Sequence, residues 1–478
     1  MRKTLKILNA TCPYSSPLEN LAKIRSFEQI PGPRNVPLIG SFENLKFAIG
    51  ADQKTIENYT GYLQSLYQKY GPIVKENLGF GRKYVVHIYD PKDAQTIFGA
   101  DGKMPFIVPL QETTQKYREM KGMNPGLGNL NGAEWYRLRS SIQQAMMRPQ
   151  SVQTYLPFSE KVANQLIQHI SEQPGRVDMR KIAGRWSLES AGQILFEKSL
   201  GSLGQEKLWA DKLVQLNREI FQLSAKMRLG FPIFRVISTK NWRKMVDFED
   251  RFYAEVDKLM DQALDNLKIL KDPKDNLRFA SYLINQKELT RRDCKVILLS
   301  MFSDGLSTTA PMLIYNLYNL AKHPEAQEKI RNENGSNKYL KACIKETFRM
   351  FPIGTEVSRV LQQDLVLGGY LVPKGTAVDI NTNVLMRTQA LFQNSPDQFK
   401  PERWLEKSAE NAHPFAFLPF GFGPRMCAGR RFAEQDLSTV LAKLCRNFRI
   451  SHHGTQIRQI YETLLLPDGS CEFEFEKI

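Results

Sequence analysis

The chain has 478 residues, 42% of them hydrophobic and 24% charged, a makeup that excludes intrinsic disorder and supports a large apolar core. With no long linker, internal repeat or low-complexity tract to divide it, the chain reads as one folded unit. Lys and Arg outnumber Asp and Glu by 66 to 50, a net charge of +16, which fits a nucleic acid, an anionic membrane or an acidic protein and selects none of them.

The N-terminal stretch carries Arg2, Lys3 and Lys6, no acid before Glu19, and no apolar run long enough for a secretory core or a membrane anchor. This pattern suits a mitochondrial presequence, with a flexible basic terminus as the alternative. Residues 1–30 are set aside on that basis, and 31–478 are read as a single domain. PGPRNVPLIG, from Pro31 to Gly40, stiffens the chain through three prolines and marks the expected start of the folded part.

Beyond it, YVVHIYD (84–90) alternates as a strand, and DLVLGGYLVPKGTAVDI (364–380) predicts a hairpin around Gly368-Gly369 with a further turn at Pro373-Lys374-Gly375. Apolar residues recur at helical spacing over 135–148, 158–172, 180–198, 246–270, 293–322, 338–350 and 430–446. The fold class is mainly α with a small β part. The six cysteines (Cys12, Cys294, Cys343, Cys427, Cys445, Cys471) are scattered without CxxC spacing, so neither a disulfide framework nor a zinc site is expected.

One of them stands apart. In FGFGPRMCAG (420–429), Cys427 sits among Gly421, Gly423 and Gly429, which let a loop lie close against a flat group or take conformations closed to other residues. A helix starting near Gly429 would aim its free N–H groups and positive end at the thiol, and Arg425 adds positive charge or pairs with an acidic group on a cofactor. Zinc lacks further ligands nearby, and His413, the nearest histidine, matches no nucleophile signature. An axial thiolate on haem needs only one protein ligand.

The stretch resembles the haem-binding signature of the cytochrome P450 family, F-x-x-G-x-R-x-C-x-G, with Phe420, Gly423, Arg425, Cys427 and Gly429 at its fixed positions. The resemblance implies that fold, a large helical domain with short sheets around a buried haem b, with Cys427 as the axial iron ligand. Other motifs follow in the family's order. KETFR and FKPERW are similar to the segments whose Glu and two Arg, here Glu346, Arg349 and Arg403, form a buried structural trio. Trp135 and Arg139 in WYRLR, Arg359 in SRVLQQD and Arg425 match groups that reach the haem propionates.

SDGLSTTAP resembles the oxygen-binding segment, where Gly305 and Thr308 match directly and the helix is expected to open locally. Two positions depart from the pattern: Ser307 stands where the family has an acid or its amide, and Asp304 where it has alanine or glycine. The proton route through Thr308, Gly305, Asp304 and Ser307 is therefore left open.

Lys341, Lys345, Arg430 and Arg431 resemble docking positions of mitochondrial-type members, which implies electrons from a [2Fe-2S] ferredoxin with its NADPH-dependent reductase. The implied reaction is insertion of one oxygen atom of O2 into a lipophilic small molecule, sterol-like or xenobiotic, at the matrix face of the inner mitochondrial membrane. LGFPIFRVI (229–237), beside Lys226 and Arg228, would give peripheral membrane contact or else be core. A cavity is expected among Phe106 to Val108, the 220s, Met301 to Thr309, Ile353 to Val357 and Leu464-Leu465. A haem sensor or an electron-independent peroxide isomerase are the alternatives. With no zinc finger or RNA-binding aromatic signature, no nucleic-acid partner is expected.

Overall fold

The computed structural model describes residues 24–36, 39–41, 56–173, 175–266, 278–333, 337–389, 391–392, 395–405 and 413–478. The presequence reading of residues 1–23 lies outside them, as does the end of the helix expected over 246–270. Residues 25–31 are packed against the body. The Arg25 N–H donates to the Gly369 carbonyl at 3.0 Å, its guanidinium lies 3.7 Å over the Tyr370 ring, and the Lys75 N–H donates to Pro31 at 2.8 Å. The packed chain thus begins ahead of Pro31.

Helices carry the architecture. Those that position the site are α1 (Gly132–Met147), α2 (Lys207–Leu229), α3 (Arg291–Lys322), α4 (Lys338–Met350) and α5 (Arg430–Asn447). Helix α3 runs through the middle. Thr290 caps it: its side chain accepts from the Asp293 N–H at 3.2 Å while Asp293 accepts from the Thr290 N–H at 2.8 Å, a reciprocal pair that satisfies two otherwise free donors. Its first half packs Ile297, Leu298, Phe302 and Leu306 with Ile220 and Met245, and its second half packs Leu313, Tyr315 and Leu317 with Trp186 and Leu441. It is also the one described helix long and apolar enough to cross a membrane, but 56% of that stretch is buried inside the fold. It is the core helix. The helix continues through Pro311, which has no N–H for the Ser307 carbonyl one turn back.

The principal sheet is small. Its strands β1 (Ile73–Asn77), β2 (Tyr84–Ile88), β3 (Val357–Val360) and β4 (Ala377–Ile380) lie in the order β1-β2-β4-β3. Strands β1 and β2 pair antiparallel from Ile73↔Ile88, β2 and β4 pair parallel from Val85↔Ala377, and β3 and β4 antiparallel from Val357↔Ile380. The expected hairpin forms as Leu365–Leu367 against Tyr370–Val372, with Gly368 and Gly369 at φ +55° and +81°, where other residues would be strained. After the turn at Gly375 the chain leaves that hairpin and enters the sheet as β4.

Helix α2 had no counterpart in the sequence reading. Its buried stripe is interrupted by Asn217 and Ser224, which breaks the apolar periodicity, and both are bonded: Ser224 to Thr113 at 2.6 Å and Asn217 to serines of α3. Strand β1 and the C-terminal strands (Phe448–His452, Arg458–Glu462, Leu464–Asp468, Glu472–Lys477) were likewise not expected.

Candidate functional site

The Cys427 loop is tied back on itself. Gly421 (φ +69°) and Gly423 (φ +74°) take left-handed conformations, and the turn closes where the Cys427 N–H donates to the Phe420 carbonyl at 2.9 Å. Phe420 in turn packs on Phe348 of α4, ring centroids 4.9 Å apart. The four other described cysteines are buried, whereas Cys427 is exposed. Burial nonetheless pushes its thiol up, against the N–H groups of Gly429 and Arg430 and the Arg139 guanidinium, which pull it down. An exposed thiol with protein on every side suits a group bound against it. The expected thiolate-favouring helix end is present but outweighed by desolvation, so a bound cation is what would hold this sulfur ionised.

Helix α3 lies across from the loop. Met301 approaches the loop, its terminal methyl 3.7 Å from where a Cβ on Gly429 would stand. One turn on, a Cβ on Gly305 would meet nothing within 4 Å. Asp304 has the same signature as Cys427: it is exposed, yet burial pushes its carboxyl up to about 6. The helix is continuous through Gly305, so the expected local opening is not there. Instead the Thr308 hydroxyl donates to the Asp304 carbonyl at 2.8 Å, adding a side-chain bond to that turn. Ser307 turns away, donating to the Ser303 carbonyl at 2.9 Å and accepting from Asn217 Nδ2 at 2.6 Å.

Cations gather along the loop. Arg139 of α1 donates to the Met426 carbonyl at 2.6 Å. Arg425 stacks 3.9 Å over Trp135 and donates to Pro105, Leu130 and Asn131. Arg359 of β3 donates to Phe422 at 3.1 Å and pairs with Asp101 at 2.7 Å. Burial lowers Arg139, and it pulls Arg425 down to about 9 with help from Arg359 and Arg139. Arg139 and Arg425 are guanidiniums short of anions, whereas Arg359 already has Asp101. A flat group bringing an iron to the thiol and two carboxylates to the guanidiniums fits this wall, so the residues present suit haem b.

Beneath the loop lies the trio. Glu346 and Arg349 form a two-pronged pair at 2.9 and 3.0 Å, both fully buried, and Arg403 Nε reaches Glu346 Oε1 at 3.0 Å. Sequence reasoning missed Trp404, whose indole donates to Glu346 Oε2 at 2.9 Å, and the Lys400 N–H at 3.1 Å. It also missed Asp101, Asn131 and Asn217. Nothing local distinguishes them, although the tryptophan of FKPERW was there to be read.

Of the expected docking cations, Lys345 and Arg430 touch residues of this region. Lys341, Lys345 and Arg431 are exposed, Lys345 lies 5.9 Å over Trp404, and Arg430 pairs with Glu434 at 3.1 Å while lying 5.6 Å over Phe420. The 229–237 segment is divided: Phe234 is buried, whereas Ile233, Val236 and Ile237 are exposed. Arg228 turns inward to Glu356 at 2.6 Å instead of flanking that segment. Of the expected cavity walls, Leu465 is fully buried and its N–H donates to Ile353 at 2.8 Å, which joins two of them.

The family model described as cytochrome P450 matches residues 30–475. The chain is 69% identical to "Probable cytochrome P450 CYP44" of Caenorhabditis elegans, covering 100% of both chains. It is 30% identical to "Probable cytochrome P450 12d1 proximal, mitochondrial" of Drosophila melanogaster over 95% of this chain and 91% of that one. To "Cholesterol side-chain cleavage enzyme, mitochondrial" of Rattus norvegicus it is 29% identical over 95% and 89%. The chain belongs to the cytochrome P450 family, monooxygenases that carry haem b and take O2 as co-substrate.

Proposed function

We propose that the chain is a haem-thiolate monooxygenase of a lipophilic small molecule, with Cys427 as axial ligand and a [2Fe-2S] ferredoxin and its NADPH-dependent reductase as electron source. One observation carries this reading: the only exposed cysteine among the described residues lies opposite the free space beside Gly305 of the unbroken α3, with three guanidiniums bonded along its loop. Bound there, haem b supplies the activation of O2. The Gly429 and Arg430 N–H groups point at the Cys427 sulfur and temper its charge. Arg139, Arg359, Arg425 and Trp135 would orient and neutralise its propionates. Thr308 can turn its hydroxyl from the Asp304 carbonyl toward the cavity and donate to oxygen there. Ser307 is engaged by Asn217 and Ser303, which ties α3 to α2.

The substrate is sterol-like or xenobiotic, the first in keeping with the name of the rat relative. Relatives named as mitochondrial and the acid-poor basic N-terminus support a mitochondrial location. Exposed Ile233, Val236 and Ile237 suit shallow contact with the matrix face of the inner membrane. Exposed Lys341, Lys345 and Arg431 suit an acidic ferredoxin.

The test is the spectrum of the dithionite-reduced protein under carbon monoxide. A strongly red-shifted Soret band in the wild type, lost in Cys427→Ala, is expected; a well-folded wild type without it would overturn the assignment. Turnover that depends on reduced ferredoxin tests the electron source.

A further inference from the structure

Asp304 is an acid on the same face of α3 as Met301, which approaches the Cys427 loop, and among the described residues no side chain pairs with it. Among the described residues no hydrogen bond or ion pair engages its carboxylate, and the one cation that acts on it through space, Arg118, spends a guanidinium N–H on the Pro125 carbonyl at 2.9 Å. The polar neighbours on α3 are already used. Ser303 and Ser307 bond to Asn217, and Thr308 donates to the backbone carbonyl of Asp304, not to its carboxylate. The side chain is exposed, and the helix face that carries it is the one from which Met301 reaches to 3.7 Å of where a Cβ on Gly429 would stand, so it is turned toward the Cys427 loop. Met301, Gly305 and Thr308 share its helix face, and its charge is felt at Cys427. The carboxylate therefore stands beside the place where a substrate carbon would be presented.

An ionised group held in such a place without a partner is costly, and a neutral ligand that covers it makes matters worse. A cation on the ligand turns the same group into a charge-assisted pair, stronger here than at a wet surface. Attraction to one class and a penalty on its neutral analogues act together.

We propose that Asp304 is a specificity-determining residue, which makes this cavity select lipophilic molecules carrying one cationic nitrogen close to the carbon presented at Cys427. The proposal rests on the haem-thiolate reading of the cavity and names the substrate class for it. Asp304 acts as an anchor: it holds the ligand's nitrogen, and thereby decides which carbon lies nearest the reacting centre.

The test uses the holoenzyme and two probes of equal shape, (4-phenylbenzyl)trimethylammonium and its carbon isostere 4-neopentylbiphenyl. The quaternary nitrogen has no lone pair and cannot bind iron. Dissociation constants come from equilibrium dialysis. In the wild type the cation is expected to bind about ten-fold or more tightly than the isostere, through charge attraction alone since the quaternary nitrogen has no N–H to donate. Asp304→Asn should bring the ratio to near unity mainly by weakening the cation, and Asp304→Glu should restore most of it. A wild-type ratio near unity, or one that Asp304→Asn leaves unchanged, overturns the proposal. The reduced carbon monoxide spectrum of the same preparations reports on the thiolate separately. A missing band with a ratio that still depends on Asp304 would sink the haem-thiolate reading alone, and a normal band with an indifferent ratio would sink the anchor alone.

Discussion

Glu346 Oε1 lies 3.0 Å from Arg403 Nε, 57 residues further along the chain, with the carboxylate fully buried. The same carboxylate holds Arg349, whose remaining donors reach the Met386 and Gln398 carbonyls at 3.2 Å. One side chain thus ties α4 to the segments that lead into the Cys427 loop, and Phe348 against Phe420 completes the link. Glu346→Ala would strand buried guanidiniums, a cost of about 3–5 kcal/mol. We expect little soluble protein and, in what survives, a much reduced carbon monoxide band per mole of chain. Wild-type yield and haem content in the variant would contradict this role.

Arg359→Ala removes a buried cation and leaves Asp101 facing the loop. With a propionate and Asp101 then sharing too few donors, haem should leave faster, by about ten-fold or more for one lost charged hydrogen bond. Transfer to apomyoglobin measures the rate. An unchanged rate would take Arg359 out of the haem site and leave its pair with Asp101 as scaffold.

Asp436 of α5 is buried, accepting from Ser190 at 2.7 Å, and burial pushes its carboxyl up to about 6. A folded acid with a raised pKa binds its proton more tightly than the unfolded chain does, so stability falls as pH rises from about 4 through about 6, and the full cost is present above that. Asp436→Asn keeps an acceptor for Ser190 without the charge. Its melting temperature should exceed that of the wild type at pH 7.5, by the equivalent of up to about 3 kcal/mol, and the gap should narrow at pH 5. A gap of the same size at both pH values would contradict the charge as its cause.

Lys345→Glu reverses an exposed charge while Glu346 beside it on the helix stays buried. Ferredoxin-supported turnover should show a KM for ferredoxin raised about ten-fold with a weaker salt dependence, because a rim charge acts on encounter. Thermal stability should shift by no more than about 0.5 kcal/mol, as for most surface changes. Unaltered ferredoxin kinetics across the salt range would place the docking face elsewhere.

The sequence by itself determined the parts whose chemistry is local. Gly421 and Gly423 occupy left-handed positions that few other residues tolerate, so the loop around Cys427 was legible as a string. Glu346 and Arg349 lie one helical turn apart and meet wherever that helix forms. Helices α1, α3, α4 and α5 announced themselves by period. Tertiary structure decided what depends on residues brought together from far apart. Asp101 facing Arg359, Trp404 beneath Glu346 and Asn217 holding Ser307 leave no local mark, because an isolated polar residue looks the same whether it meets water or a distant partner. Helix α2 was hidden for the same reason, its apolar stripe broken at Asn217 and Ser224 by bonds to other elements. Asp304 shows the difference most clearly: its position in the motif could be read, but whether it faced solvent or an enclosed space was a matter of packing, and packing is what pushes its carboxyl up to about 6.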